Sequence, residues 1–235
     1  MTDYQTYSPY PAFVGCDLGQ SRDFSAISVV QQTATEPTAY QTTYLHRWKP
    51  RRYQEVVPVV RAVVDALRTP VTVQHDGSRL AIERAEVVVV VDRTGCGRPV
   101  GDMLAEADLG GARLVLATIT GGDSVSHDQD GGLRCPKRDL VSSLTLSLEN
   151  GTLAIAAGLP LAETLVAELI GFRATISSAG HDSYGAGSDW RENSHDDLLL
   201  ATSMAVWFAE TQTGGQMSPE DYADAVATIR AGGLR

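Results

Sequence analysis

Five consecutive valines, residues 87–91, lie between Glu86 and Asp92. β-Branched side chains favour extended backbone, and a strand without alternating polar residues must be covered on both faces. The run therefore predicts a central strand over residues 86–92, in a sheet that carries helices on both sides. Asp92 is then the residue at which this buried strand ends.

The remaining hydrophobic pattern predicts an α/β domain with a mixed sheet. We expect strands at residues 13–17, 24–31, 38–48, 71–74, 112–119, 152–156 and 172–178, and helices at residues 53–68, 99–107, 136–150, 160–171 and 196–211. Glycine-rich stretches predict loops at residues 121–132 and 179–194. The order predicts an antiparallel meander of three strands that continues into parallel strands. We expect one domain over residues 1–212 and a helical tail over residues 213–235.

Acidic residues stand at the ends of three predicted elements. Asp17 ends the first strand, Asp92 ends the valine strand, and Asp196 and Asp197 open the last long helix. Taken alone, Asp17 is better explained by a turn, a helix cap explains Asp196 and Asp197 as well as a site does, and only Asp92 favours a functional role. Together they favour a ligand site, because the carboxyl ends of parallel strands meet at one edge of a sheet.

Such a group of carboxylates needs cations, because like charges at close range repel one another. Oxygen ligands suit Mg²⁺ or Mn²⁺, and two such ions can promote hydrolysis of a phosphodiester. Asp197 shares a helix face with small and apolar residues that suit packing on the sheet. We therefore predict Asp17, Asp92 and Asp197 as primary ligands, and Asp196 either as a ligand of the second metal or as a group that supports the ligands.

Charge and cysteine content exclude several other classes of protein. The net charge of -10 argues against a non-specific nucleic-acid coat protein, although a metal-loaded site reverses the local charge. Cys16, Cys96 and Cys135 are far apart and predict free thiols in place of a disulfide framework or a zinc site. The first residues are unlike a signal peptide, and no apolar run is long enough to span a membrane.

Four segments resemble motifs of the nuclease domain of phage terminase large subunits. They read GCDLGQSRDFSA at residues 15–26, DRTGCG at 92–97, KRDLV with ENGTL at 137–141 and 149–153, and HDDL at 195–198. The resemblance covers about residues 13–210. It implies a ribonuclease H-like fold and a nuclease that cuts concatemeric phage DNA with two metal ions, in which Asp17, Asp92 and Asp197 hold the metals.

Further residues are candidates for supporting roles. The resemblance implies auxiliary acids at Asp23 and Asp196, and a phosphate contact by Lys137, whose alternative is an exposed side chain opening a helix. His195 is a candidate proton shuttle, and the alternative is a capping or solvent-facing histidine.

A basic cluster around Trp48 comprises Arg47, Arg51 and Arg52. It is a candidate contact for the DNA backbone, with a solvated helix start as the alternative.

The sequence lacks the phosphate-binding GxxxxGK[ST] loop of the terminase motor. ATP-driven translocation is therefore not expected of this chain, and the resemblance implies double-stranded DNA, an ATPase motor, a small terminase subunit and a portal as partners, in the cytoplasm of a bacterial host. Three alternatives stay open at this point. They are another ribonuclease H-like nuclease of the Holliday-junction resolvase type, an actin-like ATPase, and a non-catalytic assembly module.

Overall fold

The structure is a computed structural model that describes residues 10–19, 23–35, 37–50, 52–69, 71–75, 78–82, 86–94, 97–129, 131–176, 182–186 and 196–212. The strands in these ranges are β1 (Ala12–Asp17), β2 (Ser25–Thr35), β3 (Thr38–Trp48), β4 (Val71–His75), β5 (Ser78–Ile82), β6 (Val87–Asp92), β7 (Arg113–Thr120), β8 (Ser126–His127), β9 (Leu133–Pro136), β10 (Leu153–Ile155), β11 (Phe172–Ile176) and β12 (Asp182–Ala186). The helices are α1 (Val56–Arg68), α2 (Gly97–Glu106), α3 (Lys137–Glu149), α4 (Ala162–Gly171) and α5 (Asp197–Gln212), with a short 3-10 helix at Tyr53–Glu55. The predicted tail, residues 213–235, lies outside the described ranges.

Eight of the described strands form one mixed sheet in the order β10-β3-β2-β1-β6-β7-β9-β8. β1, β2 and β3 form the predicted antiparallel meander. β6 runs parallel to β1, and β7 and β9 continue the parallel arrangement. This topology confirms the predicted mixed sheet, and it brings the carboxyl ends of β1, β6, β7 and β9 to one edge.

The side chains of the central strands alternate between two hydrophobic clusters. Phe13 and Val90 belong to the cluster that α3 and α5 cover. Val14 and Val89 belong to the opposite cluster, which α1 and α2 cover. All five valines of β6 are exposed by 1% or less, which confirms the predicted strand with helices on both faces.

Helix α5 is the central helix of the domain. Its residues 197–209 are all buried, because the helix contacts β1 and β2 on one side and α3 and α4 on others. A helix that is mostly apolar on every side is normally buried in this way. Polar contacts also fix it: Thr202 donates to Ser28 at 2.9 Å, and Ser143 and Ser147 of α3 donate to Glu210.

Two predicted segments were wrong in detail. Residues 172–178 were expected as a further strand of the sheet, but β11 pairs with β12 in a separate hairpin. β12 itself lies within residues 179–194, which were expected as a loop. Its composition of small and polar residues carries no hydrophobic alternation, so only the pairing with β11 defines the strand.

β9 was also missed, since residues 121–132 were predicted as a loop that leads directly into a helix. The strand has four residues and pairs with the end of β7 from Ala117 to Thr120. The short strand predicted at residues 71–74 is present, but as one arm of a hairpin with β5 that forms its own small sheet.

Cys16 and Cys135 are buried free thiols, as predicted, and Cys96 lies outside the described residues. None of the described helices combines the length and the apolar character that crossing a membrane requires.

Candidate metal centre at the acidic edge of the sheet

Asp17 and Asp92 lie side by side at the carboxyl edge of the sheet. The parallel register pairs Gly15 with Val90 and Cys16 with Val91, so the next positions are the two aspartates. The alternation along each strand directs both toward the sheet face that α3 and α5 cover, since Phe13 and Val90 lie on that face. The sequence prediction that these strand ends meet is therefore confirmed.

Gly15 allows Asp197, the third acid, to reach this edge. A Cβ atom at position 15 would stand 1.9 Å from the carbonyl oxygen of Ala201 and 3.1 Å from the backbone nitrogen of Ala205. The backbone of α5 thus rests directly on β1. Asp197 lies one helical turn before Ala201, so this close approach carries it to the end of β1, beside Asp17.

The electrostatics of Asp17 show that the acids converge. Burial raises the pKa of the Asp17 carboxyl well above its usual range, and the negative charges of Asp92, Asp197 and Asp196 raise it further. The positive charge of Lys137 acts in the opposite direction. Asp17, Asp92, Asp196 and Asp197 are called the acidic edge below.

Asp92 is held in one orientation by its neighbours. Its Oδ1 atom accepts hydrogen bonds from the backbone N–H of Thr94 at 2.7 Å and from the Thr94 hydroxyl at 2.5 Å. That hydroxyl in turn accepts the backbone N–H of Ile119 in β7 at 2.8 Å. Burial raises the pKa of Asp92, and the hydrogen bonds from Thr94 and the charge of Lys137 oppose that rise.

Lys137 belongs to the site, although a simple exposed helix start was one of its predicted alternatives. Its Nζ atom lies 3.0 Å from Oδ2 of Asp196 and 5.5 Å from the centroid of the Phe172 ring. Lys137 is the first residue of α3, which begins where β9 ends. Because β9 is parallel to β7, its carboxyl end lies at the same edge of the sheet as the acids. The missed strand therefore explains why a lysine distant in sequence joins the acids.

The two adjacent aspartates at the start of α5 have different surroundings. Asp197 is 8% exposed, whereas the side chain of Asp196 is 30% exposed and pairs with Lys137. This difference supports the preference for Asp197 as the primary ligand, which stays a prediction.

The remaining predicted site residues lie before β2, on β3 and before the 3-10 helix, or outside the described residues. Asp23 is exposed in the turn between β1 and β2, and Arg52 is exposed before the 3-10 helix. Arg47 is turned away from solvent, because its Nη1 atom pairs with Glu168 at 3.0 Å and its guanidinium lies over the Phe24 ring. Arg51 and His195 lie outside the described residues.

Glu168 of α4 is a residue near the site that sequence reasoning missed. Its carboxylate accepts the backbone N–H of Leu199 at 2.9 Å and pairs with Arg47. Burial raises the pKa of Glu168 to about 7, the negative charge of Asp197 adds to that rise, and the hydrogen bond from Leu199 opposes it. An acid within an amphipathic helix normally predicts a solvent-facing side chain, so the sequence held no signal of this role.

Arg93 is a second missed residue, and it fixes the loop beside the site. Its guanidinium is buried in an ion pair with Asp128 and donates to the Thr118 hydroxyl at 3.2 Å. Gly132 leaves room for this pair, since a Cβ there would stand 2.6 Å from the Arg93 Nη2 atom. The loop before β9 is thereby tied to the residue that follows Asp92.

The donor set of the acidic edge fits hard divalent cations. It offers carboxylate oxygens at the strand ends and carries excess negative charge. Burial and the neighbouring carboxylates raise the pKa of Asp17, and Mg²⁺ or Mn²⁺ would offset the repulsion among these acids. Within the described ranges, no three His, Cys, Asp or Glu side chains lie close enough together to hold a metal ion without moving. Mutually repelling carboxylates are not expected to close without a cation.

No protein-family model and no curated protein matches the sequence. The structure is similar to the large terminase nuclease from thermophilic phage G20c, solved with bound magnesium, with a TM-score of 0.57, 20% identity, and coverage of 85% of this chain and 82% of that chain. It is similar to a mutant nuclease domain of the large terminase subunit gp2 of bacterial virus Sf6 with manganese, with a TM-score of 0.53, 14% identity, and coverage of 86% and 90%.

A third similar structure is the manganese-soaked terminase nuclease domain of human cytomegalovirus, with a TM-score of 0.53, 11% identity, and coverage of 90% of this chain and 88% of that chain. At these identities the likeness establishes the fold. The chain therefore has the ribonuclease H-like fold of the large terminase nuclease domains.

Proposed function

We propose that this chain is a divalent-metal-dependent DNA endonuclease of the terminase type, which cuts concatemeric phage DNA during genome packaging. The observation that carries the proposal is the acidic edge, where burial and three neighbouring carboxylates raise the pKa of Asp17. Concentrated, partly desolvated negative charge is unfavourable for folding. It becomes favourable when divalent ions bind there, and the similar G20c and cytomegalovirus structures were solved with magnesium and manganese.

The proposed reaction is hydrolysis of a phosphodiester. A water oxygen forms a bond to phosphorus, the bond from phosphorus to one sugar oxygen breaks, and that oxygen takes up a proton. When bound, two divalent ions supply an activated water and neutralise the leaving oxygen. Asp17 and Asp197 would hold one ion, Asp17 and Asp92 the other, and Asp196 is available to the second ion.

Protein side chains also prepare the site for this chemistry. Thr94 keeps Oδ1 of Asp92 engaged and so fixes the orientation of its carboxylate. Lys137 holds Asp196, and its positive charge opposes the rise in the pKa values of Asp17 and Asp92 that burial causes. We infer that Lys137 moves from Asp196 to a DNA phosphate when substrate binds. The phosphate contact predicted for Lys137 is therefore part of this proposal.

The proposed partners follow from the same function. An ATPase motor would move the DNA, and a small terminase subunit and a portal would complete the packaging machinery in the bacterial cytoplasm. The net charge of -10 opposes tight DNA binding by this chain alone, so we propose that these partners deliver the substrate.

Nicking of supercoiled plasmid by the purified chain tests the function. We expect cutting with Mn²⁺ or Mg²⁺, none with chelator, and a loss of ~100-fold or more in Asp92→Asn, because that variant removes a metal ligand. The matched control is Asp102→Asn, which changes an exposed acid on α2 and should cut at the wild-type rate.

Three outcomes would overturn the proposal. They are cutting that persists in chelator, an Asp92→Asn protein that cuts as fast as wild type, and a folded wild-type protein that cuts with neither metal. A branched DNA substrate in the same assay separates a terminase-type enzyme, which should not prefer it, from a junction resolvase.

A further inference from the structure

Glu168 places a buried carboxylate against the start of α5. Its side chain is 6% exposed, although it belongs to a helix whose acid Glu163 faces solvent. One oxygen, Oε2, accepts the backbone N–H of Leu199 at 2.9 Å, and the other, Oε1, accepts Nη1 of Arg47 at 3.0 Å. Three separate elements, β3, α4 and α5, therefore meet at one carboxylate.

The contact with Leu199 satisfies a backbone N–H in the first turn of α5. The first N–H groups of a helix have no partner within the helix, and they are usually satisfied by a side chain just before its first turn. At α5 the preceding residue is Asp196, whose carboxylate is held by Lys137. Glu168, which lies 31 positions earlier in the chain, supplies an acceptor from a different helix.

The position of Glu168 brings a further negative charge toward the acidic edge. Arg47 compensates this charge with an ion pair that is itself largely shielded from water, with side chains exposed by 20% and 6%. A neutral acceptor could satisfy the same N–H without adding charge near Asp197. The charged pair is therefore explained by the rigid link that it makes from β3 to the first turn of α5.

We propose that Glu168, held by Arg47, is a positioning residue that fixes Asp197 at the end of β1 and so sets the metal affinity of the acidic edge. This inference rests on the proposed function, because it assigns a role in metal binding. Asp197 is two residues before Leu199, so any release of the first turn of α5 moves the ligand itself. Glu168 does not touch the metal in this account and acts only through the backbone of α5.

Mn²⁺ binding by the full chain, measured by calorimetry beside thermal unfolding, tests the proposal without relying on cleavage. We expect Glu168→Ala to weaken Mn²⁺ binding by ~10-fold, the usual scale for losing a group that orients a ligand. Glu168→Gln keeps one acceptor oxygen for Leu199 but turns an NH2 group toward Arg47, so its Mn²⁺ affinity should lie between those of wild type and Glu168→Ala. Glu168→Asp keeps the charge but is one methylene shorter, so it should bind as weakly as Glu168→Ala.

The matched control is Glu163→Ala, which removes an exposed acid from the same helix and should leave Mn²⁺ binding unchanged. If Glu168→Ala does not fold, the comparison of Glu168→Gln with Glu168→Asp decides the question. Weak binding by Gln with normal binding by Asp would overturn the proposal, because charge and not the hydrogen bond would then be the cause.

Two further results separate this inference from the proposed function. Wild-type Mn²⁺ binding by Glu168→Ala, together with a lower melting temperature, would leave Glu168 a purely structural residue and contradict only the inference. A folded wild-type protein that binds no Mn²⁺ would contradict the proposed function, and the positioning role with it.

Discussion

Asp17 is the residue on which the electrostatics of the acidic edge centre. It stands between Asp92 on the neighbouring strand and Asp197 on the covering helix, with Lys137 as the opposing charge. A carboxyl group whose pKa is raised in the folded protein binds a proton that the unfolded chain releases. The free energy of unfolding therefore decreases as pH rises from the ordinary aspartate pKa, 3.8, to the raised pKa of the folded state.

Asp17→Asn should therefore stabilise the metal-free protein while abolishing cleavage. In chelator at pH 8 we expect the free energy of unfolding to increase by about 1–3 kcal/mol, the usual size of an unfavourable buried polar group. The gain should shrink as pH falls toward 4, because Asp17 is then protonated in the folded state and no longer adds a buried charge. Urea unfolding at the two pH values measures this, and a variant that is less stable than wild type at pH 8 would contradict the description of Asp17.

At the scale of elements, the contact between β1 and α5 places the ligands. β1 and β6 bring two carboxylates to the edge by their register, and α5 brings the third only because Gly15 lets its backbone rest on β1. The helix is buried along residues 197–209, so it has little freedom to shift sideways.

Gly15→Ala should displace α5 and with it Asp197. A Cβ atom 1.9 Å from the Ala201 carbonyl oxygen cannot be accommodated without movement of one backbone. We expect a loss of about 3 kcal/mol in the free energy of unfolding, as for a severely overpacked core, and weaker Mn²⁺ binding in the protein that remains folded. Gly171→Ala, at a glycine with open space around its missing Cβ, is the control and should be neutral. A Gly15→Ala protein with normal stability and normal Mn²⁺ binding would refute the role given to this contact.

The elements that carry the acids could be predicted because their signals are local. Five valines in succession indicate a strand covered on both faces, and an aspartate after such a strand lies at its carboxyl end. β9 and β12 could not be predicted, because each is short and is defined by backbone pairing with a partner strand. The same holds for Glu168, whose role depends on which helices meet and not on its neighbours in sequence. Lys137 was a candidate through the resemblance of its motif, but its contact with Asp196 depends on the position of β9.

At the scale of the whole molecule, the parallel strands and the helices on both faces of the sheet place charged side chains at one edge. The fold is shared with the G20c and cytomegalovirus nuclease domains at 20% and 11% identity, so very different side chains support the same sheet. In this chain the edge holds four aspartates and Lys137, in a protein that is already acidic overall. Divalent cations bound at that edge would offset the repulsion between the carboxylates, as the proposed function requires.

Anomalous diffraction from crystals soaked in Mn²⁺ tests this account most directly, because it locates the metal without reference to activity. We predict two manganese peaks about 3.5–4 Å apart, between the carboxylates of Asp17, Asp92 and Asp197, and their loss in Asp17→Asn crystals. Manganese bound elsewhere in the protein, with an empty acidic edge in crystals of active wild-type enzyme, would contradict the claim that these aspartates form the catalytic metal centre.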